Sequence, residues 1–166
     1  MAEIDEAAVW DRVTAGPRPP GPQPRPPEEP HNRPGPPMAS SLLEEIEALR
    51  ETASAVSALA ERLTGDLRRQ LRTAYQALQR QLRALSGLYR LLTGSRPPAS
   101  APGLRGRQGS PAQVLSWVLR RLERSAGRLE ALGLRATGET RSVLLDSSRQ
   151  LRGLFHELLD LLGRKL

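Results

Sequence analysis

Residues 110–133, SPAQVLSWVLRRLERSAGRLEALG, decide the fold. Leu115, Val118, Leu122, Ser125, Leu129 and Leu132 recur at alternating steps of three and four, which lays one stripe along a helix. Ser110-Pro111-x-Gln113 supplies the start. The serine and glutamine side chains can satisfy amides of the first turn, and proline stands where a missing N–H costs nothing. Gly133 is placed to stop the helix.

The same rhythm appears three more times on either side. Upstream, Leu42, Ile46, Leu49, Ala53, Val56, Ala60 and Leu63 form a stripe opened by Ser41-x-x-Glu44 and stopped by Gly65. After Asp66 come Leu71, Tyr75, Leu78, Leu82, Leu85, Tyr89 and Leu92, ending at Gly94. Downstream, Leu144, Ser147, Leu151, Leu154, Leu158 and Leu161 are widened by Val143, Phe155 and Leu162. The spacing predicts helices over 41–64, 66–93, 111–132 and 138–163, each about 30–40 Å long.

Connection lengths order these helices. About three residues join the first two and about five the last two, so each pair is expected to fold as an antiparallel hairpin. The Pro/Gly-rich stretch from Ser95 to Gly109 is long enough to traverse a bundle. The expected fold is therefore all-α: an antiparallel four-helix bundle over 40–166, two hairpins joined by one long crossover, as in ferritin-like proteins. Two long coiled coils between chains share the periodicity, but the short connections favour hairpins.

Eleven of the fifteen prolines lie between Pro17 and Pro37. Such a segment is short of amide donors and apolar side chains, so residues 15–39 are expected to be a disordered, polyproline-like tether. Residues 1–14 form a short amphipathic island, with Val9, Trp10 and Val13 close together if helical. A helix this short is marginal alone, so the island docks on its own bundle, docks on another molecule through these three residues, or stays loose.

Charge and composition narrow the functions. The 166 residues carry a formal +7, but residues 41–166 alone carry +9, enough to attract a polyanion. Every basic residue except Lys165 is arginine, a skew that a GC-rich genome produces without selection for nucleic acid. Arg69, Arg80, Arg83 and Arg90 lie off the apolar stripe of the second helix and are the candidate polyanion contacts. With only five aromatic residues in the chain to stack on bases, nucleic-acid binding is expected to be weak and nonspecific at most. Cysteine is absent, which excludes disulfides and thiol chemistry, and His31 and His156 are the only histidines. No apolar run approaches the ~20 residues of a membrane span, and the acidic start, Met1–Asp11, lacks the features of a signal peptide. The expected location is the cytoplasm, without membrane insertion.

Three segments, Leu82-Arg-Ala-Leu-Ser-Gly-Leu-Tyr-Arg-Leu-Leu-Thr-Gly-Ser-Arg-Pro97, Leu158-Leu-Asp-Leu-Leu-Gly-Arg164 and Ala8-Val-Trp-Asp-Arg-Val13, resemble bacterial ferritin-like proteins of the rubrerythrin type. That resemblance implies a di-metal centre built from glutamates and Glu-x-x-His pairs inside the bundle. No Glu-x-x-His occurs within the four helical segments; the one in the sequence, Glu28 to His31, lies in the Pro-rich tether. By the same alignment the ligand positions fall near Leu78, Gln81, Leu151 and Leu154, while Glu123 and His156 lie off the stripes. Losing the whole ligand set together is physically coherent, because buried ligands without their metal are costly. Ser125 and Ser147, the polar residues on the stripes, are expected to bond back to carbonyls one turn earlier.

No catalytic, cofactor-binding or metal-binding residue is assigned, and no cofactor is expected. The leading expectation is a non-enzymatic helical scaffold or protein-interaction module that binds a protein partner or itself. Nonspecific nucleic-acid binding through arginine-rich helix faces comes next, and a ferritin-like metal-dependent oxidoreductase last.

Overall fold

In the computed structural model, which describes residues 36–99 and 108–166, four helices carry nearly all of the described residues. They are α1 (Pro36–Arg62), α2 (Gly65–Thr93), α3 (Pro111–Leu134) and α4 (Gly138–Lys165), with no strand among the described residues. Residues 36–166 form one compact unit. The amino-terminal island with Val9, Trp10 and Val13, and the tether up to residue 35, lie outside the described residues.

Local chemistry accounts directly for two helix ends. Ser110 caps α3 by accepting from the Gln113 amide at 3.2 Å, and the Gln113 side chain accepts from the Ser110 amide at 2.9 Å. Gly94 ends α2 in the left-handed region (φ 80°), its N–H donating to the Arg90 carbonyl. Two expected ends differ. α1 begins at Pro36, so Ser41 and Glu44 lie inside the helix and cap nothing. Proline is tolerated at 36 and 37 because first-turn amides have no helical acceptor to lose. Gly133 does not stop α3, which continues through Leu134. It is buried against α4, where a Cβ would lie 2.7 Å from Leu145 Cδ2. The left-handed residue of that turn is Gly138 instead (φ 59°).

α1 packs on α2 and α3, and α4 packs on α3 and α2; among the described residues α1 does not meet α4, nor α2 α3. The stripes read from α3 and α4 are buried along their whole length, and Leu122, Leu129, Leu144 and Leu151 are fully enclosed. Each such leucine contributes on the order of 2 kcal/mol by leaving water. On α2 the buried line is Leu71, Ala74, Leu78, Leu82, Leu85 and Leu88, whereas Tyr75, Tyr89 and Leu92 are only half-buried. The stripe is rotated slightly from the expected one, because a tyrosine at its edge packs its ring and keeps its hydroxyl near water.

Buried hydroxyls tie the helices together. Ser147 on α4 does not bond back to its own helix but donates to Gln81 Oε1 on α2 at 2.9 Å. The half-buried Gln81 brings an oxygen that no backbone amide uses, whereas the carbonyl one turn back already accepts a helical bond. Ser148, not singled out by sequence, donates to the Ala126 carbonyl at 2.7 Å. Ser125 likewise engages a side chain across a helix interface, that of Glu45.

Both described ends of the α2–α3 connection are held on α1. Arg50 donates to the Pro98 carbonyl and Arg62 to the Gly109 carbonyl, each at 2.6 Å. None of the described helices is long and apolar enough to cross a membrane.

Candidate functional site

On α2 a polar stripe runs beside the buried one: Arg69, Arg72, Gln76, Gln79, Arg83, Ser86 and Arg90, again at steps of three and four. The neighbouring positions of α1 are small, Ser54, Ser57 and Ala58. Short side chains on one helix facing long ones on the other leave the outer seam unfilled. The result is an open groove of about 1090 Å³. Buried Ala53 and Leu82 line its floor, half-buried Tyr75 forms part of the wall, and Arg96 and Pro97 of the connection also line it. Gly87 faces it from the middle of α2, with nothing within 4 Å of where a Cβ would stand.

The groove is positively charged. Arg50, Arg83, Arg90 and Arg96 line it, and among the described residues no carboxylate does. Among the described residues Arg83, Arg90 and Arg96 form no ion pair. This distinguishes them from the arginines further along the seam, where Arg69 pairs with Asp66 and Arg68 and Arg72 pair with Glu61.

Of the four arginines singled out by sequence, then, two line the groove. Arg83 and Arg90 sit seven residues apart on one line of α2, Arg69 is neutralised beyond the groove, and Arg80 is exposed outside its lining. Sequence reasoning missed Arg50 and Arg96. Arg50 stands on a different helix, and Arg96 belongs to the connection whose Pro98 carbonyl Arg50 binds. No spacing along the chain reports that meeting.

The interior positions tell a different story. Leu78, Leu151 and Leu154 are buried, and Gln81 is engaged by Ser147. Glu123 is exposed; so is His156, whose ring stands edge-on to Phe155 at 5.4 Å. Among the described residues no group of three His, Cys, Asp or Glu side chains converges as metal ligands would. Among the described residues the one deeply buried carboxylate is Glu45, between α1 and α3 and 3% exposed. Burial pushes its carboxyl up from the usual range, against the hydrogen bonds of Arg128 (3.3 Å) and Ser125 and the nearby positive charge. These contacts make it a tie between helices, with α1 and α3 also joined by Arg121 and Glu51.

Set against protein-family models, curated proteins and solved structures, the chain matches none.

Proposed function

We propose that this chain is a non-enzymatic helical scaffold, an interaction module that binds a protein partner through the outer groove of α1 and α2. In this reading the helices form an antiparallel bundle of two hairpins joined by the long connection over α1. Two cross-helix ties support the opposed direction of α1 and α3: Glu45 meets Arg128 while Glu51 meets Arg121. The bundle is a ferritin-like one in which leucine stands at positions where the family's metal ligands would be, a reading supported by the burial of Leu78, Leu151 and Leu154.

The observation that carries the function is the contrast between inside and outside. The interior is hydrocarbon tied by buried hydroxyls and one carboxylate, whereas a groove of about 1090 Å³ opens outward and is lined by cations without counter-charges among the described residues. Such a surface binds; it offers no paired acid and base with which to turn over a substrate.

The test places a photoreactive phenylalanine at Ser57, or at exposed Arg124 on α3, in the full-length chain in its native cells. Protein adducts at 57 and few at 124 are expected; equal yields at both refute the groove as the binding face. Reconstitution with ferrous iron, manganese or zinc followed by desalting should leave no stoichiometric metal. Retention of about two ions per chain, the complement of a di-metal bundle, would return the protein to the oxidoreductase class.

A further inference from the structure

Resting on the reading of this groove as a binding face, we propose that its occupant is an acidic amphipathic helix of a partner protein, laid along α1 and α2 with carboxylates seven residues apart opposite Arg83 and Arg90. Length, shape and charge each point there. The lining on α2 runs from Tyr75 to Arg90, about 22 Å at helical rise, which holds about four turns. Across that length the lining includes Ser54, Ser57 and Ala58 on α1 and Ser86 and Gly87 on α2, so a third helix axis can approach to ordinary packing distance.

Gly87 adds room: among the described residues nothing stands within 4 Å of where its Cβ would be, so a partner helix can pass over position 87 without meeting a side chain there.

Charge selects the chemistry of the partner. Arg83 and Arg90 are separated by two turns on one face, about 10.5 Å along the axis, the separation of two glutamates seven apart on a parallel or antiparallel helix. Arg50 faces them from α1 and Arg96 from the connection, and guanidinium binds carboxylate in a two-pronged fashion. A nucleic acid fits less well, because single strands need stacking platforms and, among the described residues, Tyr75 is the only aromatic one in the lining.

The experiment uses the full-length chain and fluorescence anisotropy with three labelled probes. The first is a helical peptide of about three Ala/Leu heptads bearing glutamate at one position of each, long enough to span the groove. The second is its twin with glutamine in place of glutamate, and the third a thymidine oligonucleotide. The glutamate peptide is expected to bind at least about tenfold more tightly than its twin, and to lose at least that factor on adding Arg83→Glu with Arg90→Glu or on Gly87→Gln. Gly87→Gln should melt no lower than the parent, and the charge-reversed variant only slightly lower, because Arg90 stands in the last turn of α2, where a cation complements the helix dipole. Equal binding of the two peptides, undiminished binding by the charge-reversed variant, or displacement of the peptide by the oligonucleotide at physiological salt overturns the proposal. If adducts still form at position 57 while the acidic peptide fails, the groove remains a binding face and only its acidic-helix occupant is refuted.

Discussion

Gly133→Ala is the most discriminating single change in the helical unit, because the same substitution has the opposite sign at Gly87. At 133 the new methyl would lie 2.7 Å from Leu145 Cδ2, 2.9 Å from its Cγ and 3.3 Å from Leu144 Cβ. Contacts under about 3 Å cannot persist, so half-buried Leu145 must leave its rotamer while fully enclosed Leu144 has nowhere to go. Overpacking of this kind costs about 1–3 kcal/mol. Against it stands the helix-propensity gain of alanine over glycine, at most about 1 kcal/mol and smaller in a final turn. The expected net is a loss of about 1–2 kcal/mol. At Gly87, where nothing stands within 4 Å and φ is ordinary, only the propensity term remains, a gain of about 0.5–1 kcal/mol. Urea unfolding followed by circular dichroism, with the denaturant slope checked for constancy, measures both. If Gly133→Ala proves as stabilising as Gly87→Ala, α3 and α4 do not approach at 133 as described.

Further outcomes follow from the same packing and charges. Leu122→Ala, in a fully enclosed site, should lose about 2–5 kcal/mol in the same assay, the spread reflecting how far the cavity collapses. Because the folded Glu45 carboxyl holds its proton more tightly than the unfolded one, near 4.5, its contribution to stability is present below that value and is lost as pH rises through the raised folded value. Glu45→Gln should therefore remove a downward slope of stability with pH, read as the difference between parent and variant melts from about pH 4 to 8, and should not destabilise at neutrality. Oligonucleotide binding should be weak, indifferent to sequence and steeply reduced by salt, as gel-shift titrations at several salt concentrations would show.

How much of this was legible in the sequence depended on whether the controlling contact was local. On α3 and α4 the three-and-four spacing of leucine names the buried line residue by residue, and the Ser110–Gln113 cap is written within four positions. On α2 the pattern offered each tyrosine or its apolar neighbour, and burial chose Ala74 and Leu88 because an aromatic hydroxyl resists the centre. Glycine was ambiguous for a physical reason: at 133 it serves close approach, at 138 a left-handed turn, and the letter is the same. Ser147 found Gln81 across an interface that no single helix reports. The groove was half legible. Its α2 arginines are periodic, but Arg50 and Arg96 enter through tertiary folding, and a groove is made by what is missing, the side-chain volume absent at Ser54, Ser57 and Ala58.

The cations of that groove are all arginine, and the only lysine in the chain is Lys165. Guanidinium does not lose its proton at any pH a cell reaches, and among the described residues the lining holds no lysine amine to acylate and no histidine imidazole to titrate. Its positive charge therefore does not titrate. The pH dependence of binding there must come from the other party, through the protonation of the partner's carboxylates below about pH 4–5, and salt weakens it by screening.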